Sequence, residues 1–109
     1  MADDDAVLVV MVSVPDASVG RKLAELLVKE RLVACASRLP GMESTYVWDG
    51  RVQTTSEELL ILKTTNARWE ALVATIRAHH PYQCPEIIAT KVESGLASYL
   101  DWVRTSIRV

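Results

Sequence analysis

Eight consecutive residues, His79-His80-Pro81-Tyr82-Gln83-Cys84-Pro85-Glu86, gather both histidines of this chain, one of its two cysteines and two of its four prolines. Imidazole and thiolate are the side chains that suit copper and zinc, so His80 and Cys84, on either side of a turn, form a candidate metal pair, with His79 as a further ligand. Neighbouring residues diverge on a helix and alternate on a strand, so His79 and His80 face one ion only with help from elsewhere in the fold or from another subunit. A second reading stays open beside this one. Both histidines close a helix-like stretch, where an imidazolium suits the negative end of the helix dipole.

Other chemistries find less support. There is no G-x-S-x-G elbow, no glycine-rich phosphate loop and no H-E-x-x-H, and four glycines in 109 residues leave little for a phosphate cradle. No enzymatic constellation emerges. Cys35, between Ala34 and Ala36 in an apolar run, reads as a small core hydrophobe. Outside the histidine segment, Tyr46, Trp48, Tyr82 and Trp102, with Glu58, Lys63 and Glu86, are expected to line a polar crevice with stacking walls. That crevice forms where oligomerisation sets a hairpin arm beside the loop.

The elements that must position these groups follow from periodicity. Val7–Val14 is a β-branched run closed by Pro15-Asp16 and reads as a strand buried on both faces. A helix follows, capped by Asp16 or Ser18, with Val19, Leu23 and Leu26 or Leu27 on its apolar side, and it ends near Arg31. Leu32–Ala36 opens a second strand, Pro40-Gly41 interrupts it, and Thr45–Trp48 resumes it with alternating side chains. Asp49-Gly50 signals a tight hairpin turn, and a return strand runs from Arg51 to Lys63. The arm so made leaves backbone donors and acceptors that another chain can satisfy. Asn66 is placed to cap a second helix with Trp69, Leu72, Val73 and Ile76 as its stripe, stopped by Pro81. Glu86–Val92 is a fourth strand, and Leu96, Tyr99, Leu100, Val103 and Ile107 mark a terminal helix.

The order is an α+β, ferredoxin-like βαββαβ with an added C-terminal helix, in one domain over 7–109 behind a disordered tail at 1–6. Helices cover one face of the antiparallel sheet; the other face needs a partner. Half of the residues are hydrophobic, which is rich for a chain this short and agrees with a buried subunit interface. A net charge of −2, with basic residues scattered singly, gives no field for nucleic acid. The acidic start and the short apolar run Val7–Val14 give neither an export signal nor a membrane span. Two cysteines make no disulfide framework, so a reducing, cytoplasmic setting is expected.

Several short runs in this order are specific. Leu-Val-Ala-Cys-Ala from Leu32, Pro40-Gly41, Tyr-Val-Trp-Asp-Gly from Tyr46, Leu-Lys-Thr-Thr ending at Thr65, His-His-Pro-Tyr from His79, Pro-Glu-Ile-Ile from Pro85 and Tyr-Leu-x-Trp from Tyr99 cover nearly the whole chain. In these the sequence resembles the divalent-ion tolerance proteins called CutA. The resemblance implies a homotrimer similar in build to the PII signalling proteins, with long hairpins pairing between subunits and crevices at the subunit boundaries. It also implies a link to tolerance of copper and other divalent ions, with Cu²⁺ bound by some members. In bacterial members the copper ligands are a cysteine late in the first strand and the histidine pair. These positions fall at Val12, which has no donor atom, and at His79 and His80, so Cys84 stands as the substitute soft ligand. The expected function is weak Cu²⁺ binding by a trimer that takes part in the response to metal ions, with no obligatory cofactor. The alternative is a PII-like sensor or scaffold holding a small ligand or protein partner in the crevice.

Overall fold

Asp16 decides where the first helix begins. Its backbone is extended and its Oδ1 accepts the Val19 N–H at 2.9 Å, satisfying a donor that the first helical turn leaves free. In the computed structural model, which describes residues 3–108, this cap separates strand β1, Val7–Val14, from helix α1, Ala17–Lys29. Strand β2, Cys35–Trp48, and strand β3, Arg51–Thr65, follow. A short 3₁₀ turn over Asn66–Arg68 leads into helix α2, Trp69–His79, and then come strand β4, Ile87–Lys91, and helix α3, Ala97–Ile107.

The four strands form one antiparallel sheet in the order β2-β3-β1-β4, the arrangement of a split βαβ fold. Register sorts the side chains. Leu8, Val10, Val12 and Val14 share a face with Leu60 and Leu62, and all pack with Leu23, Leu27, Leu72 and Ile76 of α1 and α2 in the main core. Val12 is fully buried there, so the position is a core position and its side chain is apolar for that reason.

Alternation sends Val9, Met11, Leu59 and Ile61 to the opposite face, where they are only half-buried, with Leu39 and Ile88 about half exposed beside them. The expectation that β1 is buried on both faces is therefore corrected. Helices α1 and α2 shield one side, and the other carries apolar side chains partly open to water. Cys35 is likewise half-buried rather than core; it shares this open face with Lys63, whose Nζ lies 3.9 Å from its Sγ.

Pro40-Gly41 does not end β2. The pairing shifts between Leu39 and Met42, with Gly41 at φ +81°, which is a bulge that lets the strand continue into the arm. At the tip, Asp49 and Gly50 both take positive φ, +52° and +73°, as the two-residue turn matched to strand twist requires. Val47 and Val52 face each other near the tip at 66% and 74% exposure, so the arm runs beyond the cover of the helices. The long dimension of the molecule, 44 Å against 26 and 25 Å, reflects this projection.

Two boundaries differ from the pattern. Asn66 makes no side-chain cap, because the 3₁₀ turn intervenes and the α-helix starts only at Trp69. Of the tail expected over 1–6, Met1 and Ala2 lie outside the described residues, as does Val109 at the other end. Asp4 and Asp5 form a turn: Ala6 N–H donates to the Asp3 carbonyl, and Asn66 and Ala67 N–H donate to the carbonyls of Ala6 and Asp4. Ala6 is buried by these contacts.

Candidate functional site

The end of α2 delivers the His79–Glu86 segment to the sheet. His79 is the last helical residue, exposed, with its Nδ1–H donating to the Thr75 carbonyl at 3.0 Å. His80 turns the other way and is 7% exposed. Its Nε2 lies 2.7 Å from the Ser13 carbonyl, which can only accept, and its Nδ1 receives the Tyr82 N–H at 3.1 Å. These partners fix the neutral tautomer with the proton on Nε2 and leave neither nitrogen a lone pair for a metal. His80 is thus a strut tying the loop to the end of β1, and the Tyr82 ring packs on it with centroids 4.8 Å apart.

Beyond the strut the loop faces the hairpin arm across a crevice of about 700 Å³. Tyr82, Cys84 and Glu86 line it from the loop, and Tyr46, Trp48 and Glu57 from the arm. The Tyr82 hydroxyl donates to Glu57 Oε2 at 2.7 Å, and the Ser13 hydroxyl donates to Glu86 Oε1 at 3.2 Å. Desolvation, then the hydrogen bond and charge of Glu57, push the Tyr82 phenol up to about 12. The ring is 37% exposed although burial leads the causes, because the hydroxyl is the end turned inward to the carboxylate. The arrangement presents carboxylate oxygens, a thiol and aromatic faces to one concave surface, chemistry suited to binding.

Of the residues singled out in the sequence, Tyr46, Trp48, Tyr82, Glu86 and Cys84 meet here. Glu58, Lys63 and Trp102 do not join them within the chain. Glu58 sits one residue out of phase, on the helix-covered face, where Arg38 donates to it at 2.7 Å; Glu57 holds the crevice position instead. Lys63 is on the crevice face but six residues along β3, roughly 20 Å away. Trp102 lies on α3 against Tyr99, ring centroids 5.7 Å apart, and is not among the crevice-lining residues. The structure does not bring His79, His80 and Cys84 together, and among the described residues no group of three or more His, Cys, Asp or Glu side chains is placed to hold a metal ion. Sequence reasoning missed Ser13 and Glu57. Ser13 is the one hydroxyl in an apolar strand, a usable sign; choosing Glu57 over Glu58 required the register beyond the bulge.

Residues 8–106 match the family described as CutA1 divalent ion tolerance protein. The chain belongs to this family. Among curated CutA relatives, the chloroplastic protein CutA of Arabidopsis thaliana is 46% identical over 101 residues, covering 93% of this chain and 56% of the relative. A divalent-cation tolerance protein CutA of Salmonella newport is 40% identical, covering 93% and 88%. The chain therefore spans little more than half the length of the chloroplastic relative and most of the bacterial one. Among solved structures, CutA from Xylella fastidiosa superposes with a TM-score of 0.92 at 40% identity, covering 94% of this chain and 98% of the other. CutA1 from Oryza sativa superposes with a TM-score of 0.92 at 43% identity, covering 94% of each. The α+β fold with its four-stranded antiparallel sheet and three helices is the CutA1 fold. The CutA names describe tolerance to divalent cations and no reaction. No helix among the described residues is long and apolar enough to cross a membrane.

Proposed function

We propose that this protein is a trimeric, non-catalytic binding protein in the response to divalent cations, with Cu²⁺ as the ion and the crevice as the site. The observation that carries this reading is the meeting of Cys84 and Glu86 of the loop with Glu57 of the arm on one concave surface. Thiolate and carboxylate together accept borderline and soft divalent ions, whereas His80 is spent on holding the loop. Cys84 then leads the ligand set, and weak affinity follows because no complete set of ligands stands ready within one chain. The half-exposed apolar face of the sheet and the two-sided arm favour the PII-like trimer, in which arms pair between subunits and neighbours complete the crevice. Free thiols at Cys35 and Cys84 suit a reducing cytoplasm.

Titration with Cu²⁺, and with redox-inert Zn²⁺ in parallel, tests the assignment by calorimetry on Cys84→Ser, His79→Ala and His80→Ala. Loss of the thiolate is expected to weaken binding about tenfold or more, the strength of one charged ligand contact, while His79→Ala leaves it nearly unchanged. Equal affinity in all three variants and the parent removes the site. A second reading has its own support: the crevice volume falls within the roughly 300–1,000 Å³ of small-molecule sites, and Tyr46, Trp48 and Tyr82 supply ring surfaces. In that reading the trimer is a sensor or scaffold with a small organic ligand in the same crevice.

A further inference from the structure

A second concavity lies at the opposite end of β3, away from the crevice. Arg68, Arg104 and Arg108 line a cleft of about 290 Å³ together with Thr65 and Asp5, three guanidinium groups against a single carboxylate. Two of the arginines are held in place through their inner nitrogens. Arg68 Nε donates to the Arg31 carbonyl at 3.2 Å, and Arg104 Nε donates to the Asp5 carbonyl at 2.8 Å. A guanidinium anchored at Nε keeps its outer N–H donors in a fixed fork, the geometry that suits a planar or tetrahedral oxyanion.

Compensation by the protein's own carboxylates is incomplete. Asp101 engages one outer nitrogen of Arg104 at 3.1 Å, on the exposed side of the helix. Asp5 Oδ1 approaches Arg108 only to 3.9 Å, beyond hydrogen-bond distance, and both groups are more than half exposed, so the pair contributes little. The outer nitrogens of Arg68 have no protein partner among the described residues. Thr65 adds a neutral side chain to the same cleft, which it lines at 5% exposure.

We propose that this cleft binds a small oxyanion of the phosphate class through Arg68, Arg104 and Arg108, with the Thr65 hydroxyl as a neutral donor at its floor. The ligand is inorganic phosphate or the phosphoryl group of a monoester. The site is separate from the crevice and stands whether or not that reading holds.

Isothermal titration of the full chain at constant ionic strength tests it, with inorganic phosphate in one arm and O-phosphoserine in the other. Calorimetry is chosen because phosphate raises the melting temperature of proteins in general by exclusion from their surface. The expected result is a saturable signal of one ligand per chain, weakened about tenfold or more in Arg68→Gln/Arg104→Gln. Arg108→Gln, with a side chain 59% exposed, gives a second variant that leaves the fold intact and weakens binding in the same direction. Phosphate bound more tightly than O-phosphoserine assigns the free ion; the reverse assigns a phosphomonoester. No saturable heat with either probe, or affinity unchanged in both variants, overturns the proposal.

Discussion

Tyr82 and Glu57 are a residue-scale device whose sign is checkable. Glu57 is nearly buried, and its carboxylate accepts the Tyr82 hydroxyl at 2.7 Å. A phenolate beside that carboxylate would set two negative charges together, so the folded chain holds the proton on Tyr82 from the ordinary 10.0 up to about 12. With the folded value raised, the contribution to stability is complete below pH 10 and declines as pH rises through 10 to about 12, because only the unfolded chain gives up the proton easily in that window. Spectrophotometric titration of the phenolate band should show a step at about pH 12 that vanishes in Tyr82→Phe. A parent protein whose tyrosines all ionise by pH 10.5 contradicts the Tyr82–Glu57 contact. His80 belongs to the same scale. Its two bonds, to the Ser13 carbonyl and from the Tyr82 N–H, explain why one of two adjacent histidines is buried while the other is open to water.

Among the elements, α1 meets the edge strand β2 over an unusual pair. Arg38 and Glu58 face the helices, where the neighbouring strand positions carry fully buried leucines, and they bond at 2.7 Å with Gly20 of α1 above them. A Cβ on Gly20 would stand 3.1 Å from Arg38 Cδ, 3.3 Å from Val14 Cγ2 and 3.4 Å from Glu58 Oε1. Alanine in place of glycine inside a helix ordinarily adds about 1 kcal/mol. Here Val14 is locked in the core and Arg38 is held by its carboxylate, so Gly20→Ala should forgo that gain and lose about 0.5–1 kcal/mol of stability by urea denaturation. A gain near 1 kcal/mol would mean that Arg38 moves aside freely. The same region shows what the sequence discloses. The element order and the Asp16 cap were legible because periodicity and capping are local, as was the Asp49-Gly50 turn. The Arg38–Glu58 pair was not, because a residue one step out of phase changes face and the Pro40-Gly41 bulge resets the phase of the arm. The crevice was legible as a loop of the right composition and an arm with the right rings. Which glutamate enters it, and that His80 is a strut, depended on contacts 25 and 67 residues apart in sequence.

For the molecule as a whole, the unfilled requirement is cover for the open sheet face. Leu39 is 50% exposed and Ile88 49% on that face, with Val9, Met11, Leu59 and Ile61 half-buried between them. A contiguous apolar surface of this kind marks an interface, and the arm, with Val47 and Val52 open on one side and Tyr46 and Trp48 on the other, is an edge ready to pair. Three copies joined through both features would cover all three open faces and bring neighbouring residues to each crevice. Sedimentation at micromolar concentration is therefore expected to give three times the 12.1 kDa mass of one chain. A charge on the open face should break the assembly without unfolding the chain, because the core lies on the other side of the sheet. Leu39→Asp tests this, with Val28→Asp as the control: Val28 is similarly exposed at 44% but lies on α1. The expected outcome is a monomer or a concentration-dependent mixture for Leu39→Asp, with native circular dichroism, and a trimer for Val28→Asp. If ligand affinity also becomes concentration-dependent in Leu39→Asp, the crevice draws residues from a neighbour. If the parent chain sediments as a monomer, the crevice is a single-chain site and the open face has another partner.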